Sequence, residues 1–343
     1  MLVGAGAGGW AGRQKVLSAH ARLWCRRPLL AAILLVLCLA PACSRSRRKV
    51  IGVVPKGLAH LFWQSIHAGA AAAGQEFGVE IQWNGPSLET EYSRQIQIID
   101  ALIARRVDAL AISPADRVAL VQVVDRAMSQ GIPVTIYDSG LSSTNYTSYV
   151  ATNNYAAGEL AARALGRILG GKGKVAMLRH VHGSGSTLER EKAFDAVMAA
   201  EFPAILVADR QFGMSDRARA MAVAEDIFTA HPDLDGIFAS AEPSTVGVSQ
   251  AIKARRLTGR IRFVGFDSSD SLVEDVKAGV ITALVVQDPF KIGFEAVRTL
   301  VDKLNGRTPP RQIDCEATVV TAADLDRPEI LRLLRPPVEK YLK

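Results

Sequence analysis

An aspartate that follows an aromatic residue and precedes a serine occurs twice in the chain, as Tyr137-Asp138-Ser139 and as Phe266-Asp267-Ser268. An ionised carboxylate accepts two hydroxyl donors at once. Each such charge-assisted bond, when buried, is worth roughly 1.5–3 kcal/mol net. A ring beside it covers the apolar C–H face of a pyranose or furanose. Phe62-Trp63, close behind the first apolar run, offers a second surface of that kind. Two carboxylates and several rings suit a small polyhydroxylated ligand. Each residue has a plainer use as well. Asp after a strand often closes a turn or caps a helix, and an aromatic pair often belongs to the core. Repetition of the step favours the ligand reading.

Other reactive patterns fail on their context. Gly166–Lys172 has the spacing of a phosphate-binding loop, but Gly173 stands where Ser or Thr would hold magnesium. That segment also follows a helical pattern instead of a strand. Gly170-Gly171-Lys172-Gly173 reads as a helix stop and turn. His180 and His182 have no Cys or acidic partner at metal-ligand spacing. Gly183-Ser184-Gly185-Ser186 reads as a flexible polar loop without a nucleophile elbow. No nucleophile–base–orienter set is evident. The expectation is a binding protein with no catalytic residue, no metal and no cofactor.

Short apolar runs alternate with amphipathic ones along the chain. Strands are expected at Val50–Val54, Glu80–Trp83, Ala109–Ile112, Pro133–Ile136, Ser148–Ala151, Val175–Leu178, Ala204–Ala208, Gly236–Ala239, Arg262–Phe266 and Ile281–Val286. Helical patterns include Trp63–Phe77, Ser93–Ala104, Arg117–Gln130, Asn154–Leu169, Glu189–Ala200, Arg217–Ala230 and Ser271–Ala278. Such alternation implies an α/β fold with parallel sheets covered on both faces. Three segments recur in order: VIGVVPK with KVAMLRH, VDALAIS with LDGIFAS, and IPVTIYDSG with IRFVGFDSS. Their offsets, 124, 127 and 129 residues, are nearly constant and argue for two similarly built lobes. Ligands of open parallel sheets bind beyond the carboxyl ends of the strands. Facing lobes would therefore bring the two Asp steps to one cleft.

At 49% apolar and 22% charged residues, the 343-residue chain can bury a sizeable core. Its formal charge of +7 invites a nucleic-acid reading. The charge lies at the front, however. Residues 1–42 hold Arg13, Lys15, Arg22, Arg26 and Arg27 and no acid, and Leu29–Ala40 is apolar throughout. This is the pattern of a secretory signal, residues 1–42. Basic residues 43–49 then read as a tether near a membrane surface. Val50 onward carries 32 basic against 34 acidic residues, so nucleic acid is not expected as a partner. Once Cys25 and Cys38 leave with the signal and Cys43 is modified, only Cys315 remains, too few for an internal disulfide. Cys315 reads as a small buried hydrophobe.

Several of these segments resemble the type I periplasmic binding proteins, in the ribose/galactose-type branch of ABC importer solute-binding proteins. The likeness is carried by IGVVPKGLAHLFW, Gln95–Asp100 with VDALAISP, IPVTIYDSG, TNNYAAG, TAHPDLDGIFAS, VGFDSS and VVQDP, in family order over residues 50–320. Leu39-Ala40-Pro41-Ala42-Cys43 resembles the lipobox of bacterial lipoproteins, with Cys43 as the acylated residue. The resemblance implies two Rossmann-like lobes with parallel sheets and a three-segment hinge. The lobes would comprise 50–152 plus 288–314 and 153–287 plus 315–325, followed by a tail at 326–343. It also implies an exported, periplasmic, lipid-anchored monomer that traps a sugar-like solute by hinge closure and hands it to an ABC permease.

By that resemblance the ligand residues are His60, Phe62, Trp63, Asp138, Asn154, Phe266, Asp267 and Gln287. Leu188 stands where many members have a ligand-binding Arg, and nearby Arg190 is assigned to the surface or to structure. Ala241 stands where Asn is usual, with Glu242 next to it. Loss of those two contacts would suit a deoxysugar, a methyl-bearing ligand or a smaller polyol. VPK, NGP and QFG are similar to segments of rhamnose and autoinducer-2 binders, in which a lysine contacts ligand. Lys56 takes that role here, the alternative being that it faces solvent. Other readings are a sensory module for a chemoreceptor or sensor kinase, and a binder of an autoinducer-like polyol. A sugar-responsive repressor would need an N-terminal helix-turn-helix in place of the signal.

Overall fold

The computed structural model describes Met1 and residues 47–342, of which residues 48–342 belong to one compact unit. The expected signal and the acylated Cys43 lie outside the described residues. Described elements follow the order β1 (Val50–Val54), α1 (Leu61–Phe77), β2 (Glu80–Trp83), α2 (Tyr92–Ala104), β3 (Ala109–Ile112), α3 (Val121–Ser129), β4 (Val134–Tyr137) and β5 (Ser148–Ala151). Then come α4 (Asn154–Ile168), β6 (Lys172–Arg179), α5 (Gly185–Glu201), β7 (Ala204–Phe212), α6 (Arg217–Ala230), β8 (Gly236–Ala239), α7 (Glu242–Ala254), β9 (Arg262–Phe266), α8 (Asp270–Lys277) and β10 (Ala283–Val286). The chain finishes with α9 (Pro289–Leu304), β11 (Gln312–Asp314), β12 (Thr318–Val320), α10 (Pro328–Leu334) and α11 (Val338–Tyr341).

Two six-stranded sheets result, ordered β11-β5-β4-β3-β1-β2 and β12-β10-β9-β8-β6-β7. The first is parallel throughout, and in the second only β12 runs antiparallel, against β10. The central strands β3, β4, β8 and β10 are buried at every position. Burial on both faces explains why they read as continuous apolar runs without alternation. Each sheet carries one core on either face. The chain passes from one sheet to the other three times: after β5, after β10, and between β11 and β12.

Some boundaries differ from the sequence expectation for local reasons. α3 starts at Val121 instead of Arg117, because the Asp116 carboxylate takes the N–H groups of Val118 and Ala119 into a turn. Gly170 and Gly171, at φ 65° and 78°, do end α4, but Lys172 and Gly173 already pair with Ala204 and Ile205 as the start of β6. The Gly183–Ser186 segment is no flexible loop. Ser184 precedes the first turn of α5, and Gly185 and Ser186 lie in that helix, all three buried. The sequence pattern also misses α7, whose residues Glu242–Ser249 are all buried and so show no polar face.

The tail is ordered. α10 sets Ile330 and Leu334 into the core of the second sheet. After Arg335-Pro336-Pro337, α11 packs on α1, and the Tyr341 ring lies 5.7 Å from that of Phe290. Cys315 is fully buried in the core of the first sheet, and burial pushes its thiol up to about 12.

Candidate functional site

In both sheets the strand order reverses beside the first strand of the lobe, β1 or β6. Crevices for ligands form at such reversals. The carboxyl ends of β1, β4, β6, β8, β9 and β10 deliver Lys56, Asp138, His180, Glu242, Asp267 and Gln287 to one cavity of about 30 Å³.

The repeated Asp step has one geometry in both lobes. Asp138 has φ 59° and Asp267 φ 68°, so each leaves its strand in the left-handed region. Each N–H donates to the neighbouring strand at 2.9 Å, Asp138 to Val150 O and Asp267 to Val285 O. Such a conformation costs about 1 kcal/mol or more for a residue with a Cβ. Neither Asp caps the helix that follows it; Asn153 and Ser269 do so for α4 and α8. Asp267 instead accepts the first N–H of α7, from Glu242 at 3.1 Å, and the Gln287 amide at 2.7 Å. Asp138 accepts from Ser113 Oγ at 2.9 Å and lies 3.0 Å from Lys56 Nζ.

Lys56 is buried, which removes the alternative that it faces solvent. Its ammonium also donates to Ser186 Oγ at 2.9 Å and Ser184 Oγ at 3.2 Å, across from one lobe to the other. Phe62 and Trp63 both border the cavity, packed edge-on at 5.1 Å. His60 borders it too. Its Nε2 lies 3.1 Å from the Ser215 carbonyl, a bond only a donor can make. In the neutral ring Nδ1 is then an acceptor, and it faces Glu242 Oε2 at 3.6 Å. Burial lowers the His60 pKa despite Glu89 nearby, which favours that neutral ring.

Asn154 and Phe266 stand one layer behind the cavity wall. Asn154 donates to Asp138 O at 3.3 Å and accepts from Arg190 Nε at 2.8 Å. The Arg190 guanidinium lies 3.8 Å from the Phe266 ring centroid. Arg190 itself is buried and borders the cavity, so it has no surface role.

Glu89, His180 and Glu242 also reach the cavity, and none of them was expected to bind ligand. Glu89, from the loop after β2, accepts Trp63 Nε1 at 2.9 Å and sits 2.9 Å from His180 Nε2. The acidic partner that His180 lacks locally is thus supplied from 91 residues away. Burial works to raise the Glu89 carboxyl, but His180, Lys56 and His60 outweigh it and hold it well below the usual range. Glu242 pairs with Arg217 NH2 at 2.5 Å; burial still raises its pKa, and burial raises that of Asp267 against the pull of Arg190. Among the described residues, no cluster of three His, Cys, Asp or Glu side chains could hold a metal ion.

Each buried carboxylate in the cavity wall thus has a cationic or imidazole neighbour, so the cavity suits a neutral ligand. Several buried polar atoms there have no hydrogen-bond partner: Glu242 Oε2, Gln287 Oε1, His60 Nδ1, His180 Nδ1 and Thr187 Oγ1. Leaving such a group unpaired costs about 1–3 kcal/mol. A ligand rich in hydroxyls can satisfy all five.

Comparison with known proteins agrees with this geometry. The sequence model of a family described as periplasmic binding protein domain matches residues 51–308. The ribose import binding protein RbsB of Bacillus subtilis is 28% identical over 283 residues, spanning 82% of this chain and 90% of that protein. A solute binding protein of Agrobacterium vitis with bound D-fucose is 35% identical, with a TM-score of 0.81 over 83% of this chain and 100% of that one. A carbohydrate transporter solute binding protein from Agrobacterium radiobacter, in complex with D-arabinose, is 29% identical, with a TM-score of 0.83 over 84% and 100%.

Proposed function

Because the chain belongs to the periplasmic binding protein domain family, we propose that it captures a neutral, sugar-like solute between its lobes and delivers it to the permease of an ABC importer. The observation that carries this reading is the duplicated left-handed Asp step, which sets Asp138 and Asp267 from opposite lobes on one cavity. In this reading the two carboxylates accept ligand hydroxyls. Phe62 and Trp63 cover the ring, and His60, Gln287 and Glu242 take further hydroxyls. Lys56 holds Asp138 in place, while Asn154 and Phe266 position Arg190. The lobes then comprise residues 50–152 plus 288–314 and 153–287 plus 315–325.

Arg190 on the cavity wall supplies the guanidinium that Leu188 lacks, whereas Ala241 leaves the cavity one amide fewer, which favours a deoxysugar or a small polyol. The D-fucose bound by the Agrobacterium vitis protein supports that choice. Thermal shift against pentoses, hexoses, deoxysugars and polyols tests the reading. A ligand at a hundred times its Kd adds about 2.7 kcal/mol of stability. A flat response across the panel overturns it. We further propose that the mature chain is a monomer tethered to the membrane through acylated Cys43. Mass spectrometry of the mature N-terminus should find a diacylglyceryl cysteine there, and an unmodified or differently cleaved N-terminus overturns the anchor.

A further inference from the structure

Beside the small cavity lies a much larger one, of about 800 Å³, and the two share Phe62, Asp267 and Gln287 as walls. By volume the small cavity holds about two waters until the lobes part around a ligand, whereas the large one already has the volume of a site for a whole organic ligand. Its inner walls come from the start of α1, with Gln64 and Ser65, and from the turn into α8, with Ser268 and Asp270. Its outer wall is the C-terminal segment, which leaves the core of the second lobe at Leu334 and docks on α1 through Val338–Tyr341.

We infer that this side compartment is a second saccharide subsite, so that the chain takes a ligand of two linked sugar units. The inference rests on the saccharide reading above. Gln287 is buried, borders both cavities, and has an Oε1 without a partner. It can bond a ligand that passes from one cavity to the other. The compartment wall combines hydroxyl and amide groups with the apolar side chains of Leu61, Pro336 and Pro337, which suits a sugar ring's polar rim and C–H faces. Its charges exclude a phosphorylated extension. Asp267, Asp270, Glu274 and Glu339 outnumber Arg335 and Lys340, so the second unit carries no negative charge.

Calorimetry with pentoses and hexoses, each alone and within disaccharides that contain it, tests the inference. At least one disaccharide should bind ten times tighter or more than either of its component sugars. Ser65→Trp, which fills the compartment, should reduce that advantage below twofold. Deletion of residues 335–343, which removes the outer wall, should do the same. Both variants should keep monosaccharide Kd within twofold of the parent. Binding of monosaccharides with no tighter disaccharide overturns the second subsite and leaves the saccharide reading standing. So does a disaccharide advantage that survives in both variants. Binding of no saccharide at all overturns the reading and the inference with it.

Discussion

Asp138 and Asp267 share a backbone geometry but not an electrostatic setting, and their removal should differ accordingly. Asp267 is held by an amide and a backbone N–H, and burial raises its pKa. Asp267→Ala should weaken sugar binding by about 2 kcal/mol, roughly 30-fold, with a modest fall in melting temperature because the Glu242 N–H and the Gln287 amide lose their acceptor. Asp138 neutralises buried Lys56 at 3.0 Å. Asp138→Ala should weaken binding at least as much and also destabilise the fold, since an unpaired buried charge costs several kcal/mol. Calorimetry and thermal melts on both variants separate the two effects. The His60 imidazole supplies a pH dependence. Its pKa is lowered from 6.5 by burial, so below pH 6.5 the folded chain binds fewer protons than the unfolded one. His60 therefore contributes full stability above pH 6.5, which is lost as pH falls through that value toward the lowered one. His67, also lowered by burial, adds to the loss, while Asp267 and Glu242, raised, act in the opposite sense. The melting temperature should drop between neutral pH and about pH 5.5, and His60→Asn should shrink that drop. Equal drops in the two proteins would remove His60 as a cause.

At the scale of elements, strands were legible and helix boundaries less so. A central parallel strand is a short run of apolar residues, as in Ala109–Ile112 and Gly236–Ala239, and burial on both faces leaves nothing to disguise it. α7 escaped because its first two turns, Glu242–Ser249, are covered on all sides, and α3 began late because Asp116 made a turn first. The tightest helix contact is α1 on α9, where a Cβ on Gly293 would meet Ile66 O at 2.1 Å and one on Gly69 would meet Phe290 O at 2.0 Å. Both obstacles are backbone, so neither can rotate away. Gly293→Ala should cost roughly 1–3 kcal/mol or more and lower the melting temperature by several degrees. An unchanged melt would mean that α9 can slide along α1 without loss.

For the whole molecule, the lobes meet through polar contacts that span large sequence distances: Lys56 with Ser184 and Ser186, His60 with Ser215, and Glu89 with His180. Glu89 lies buried at this seam, with Trp63 Nε1 on one carboxylate oxygen and His180 Nε2 on the other. His180→Ala would leave that charge without its imidazole in the closed form, whereas an open form would hydrate it. Trp63 would still hold one carboxylate oxygen, but leaving the other buried without its partner costs about 1–3 kcal/mol, which should favour lobes apart. Small-angle scattering should show a larger radius of gyration for His180→Ala without ligand, and calorimetry a weaker Kd. A radius and a Kd equal to those of the parent would show that Glu89 gains nothing from His180.

The sequence by itself determined the two-lobe α/β plan, the duplicated Asp step and the place of the aromatic pair. Those features are written in local patterns: apolar runs that must be buried, and a three-residue step that repeats at a nearly constant offset. Only the tertiary structure decided which charges meet. Glu89, His180 and Glu242 come from three separate strand ends, and no local pattern ties an acid in one loop to a histidine 91 residues later. It also turned Arg190 inward, kept Lys56 from solvent, and laid the C-terminal segment from one lobe to the other. Chain connectivity sets what a strand end can carry, but the energy of a buried charge depends on its neighbours in space, and those are chosen by the packing of the two lobes.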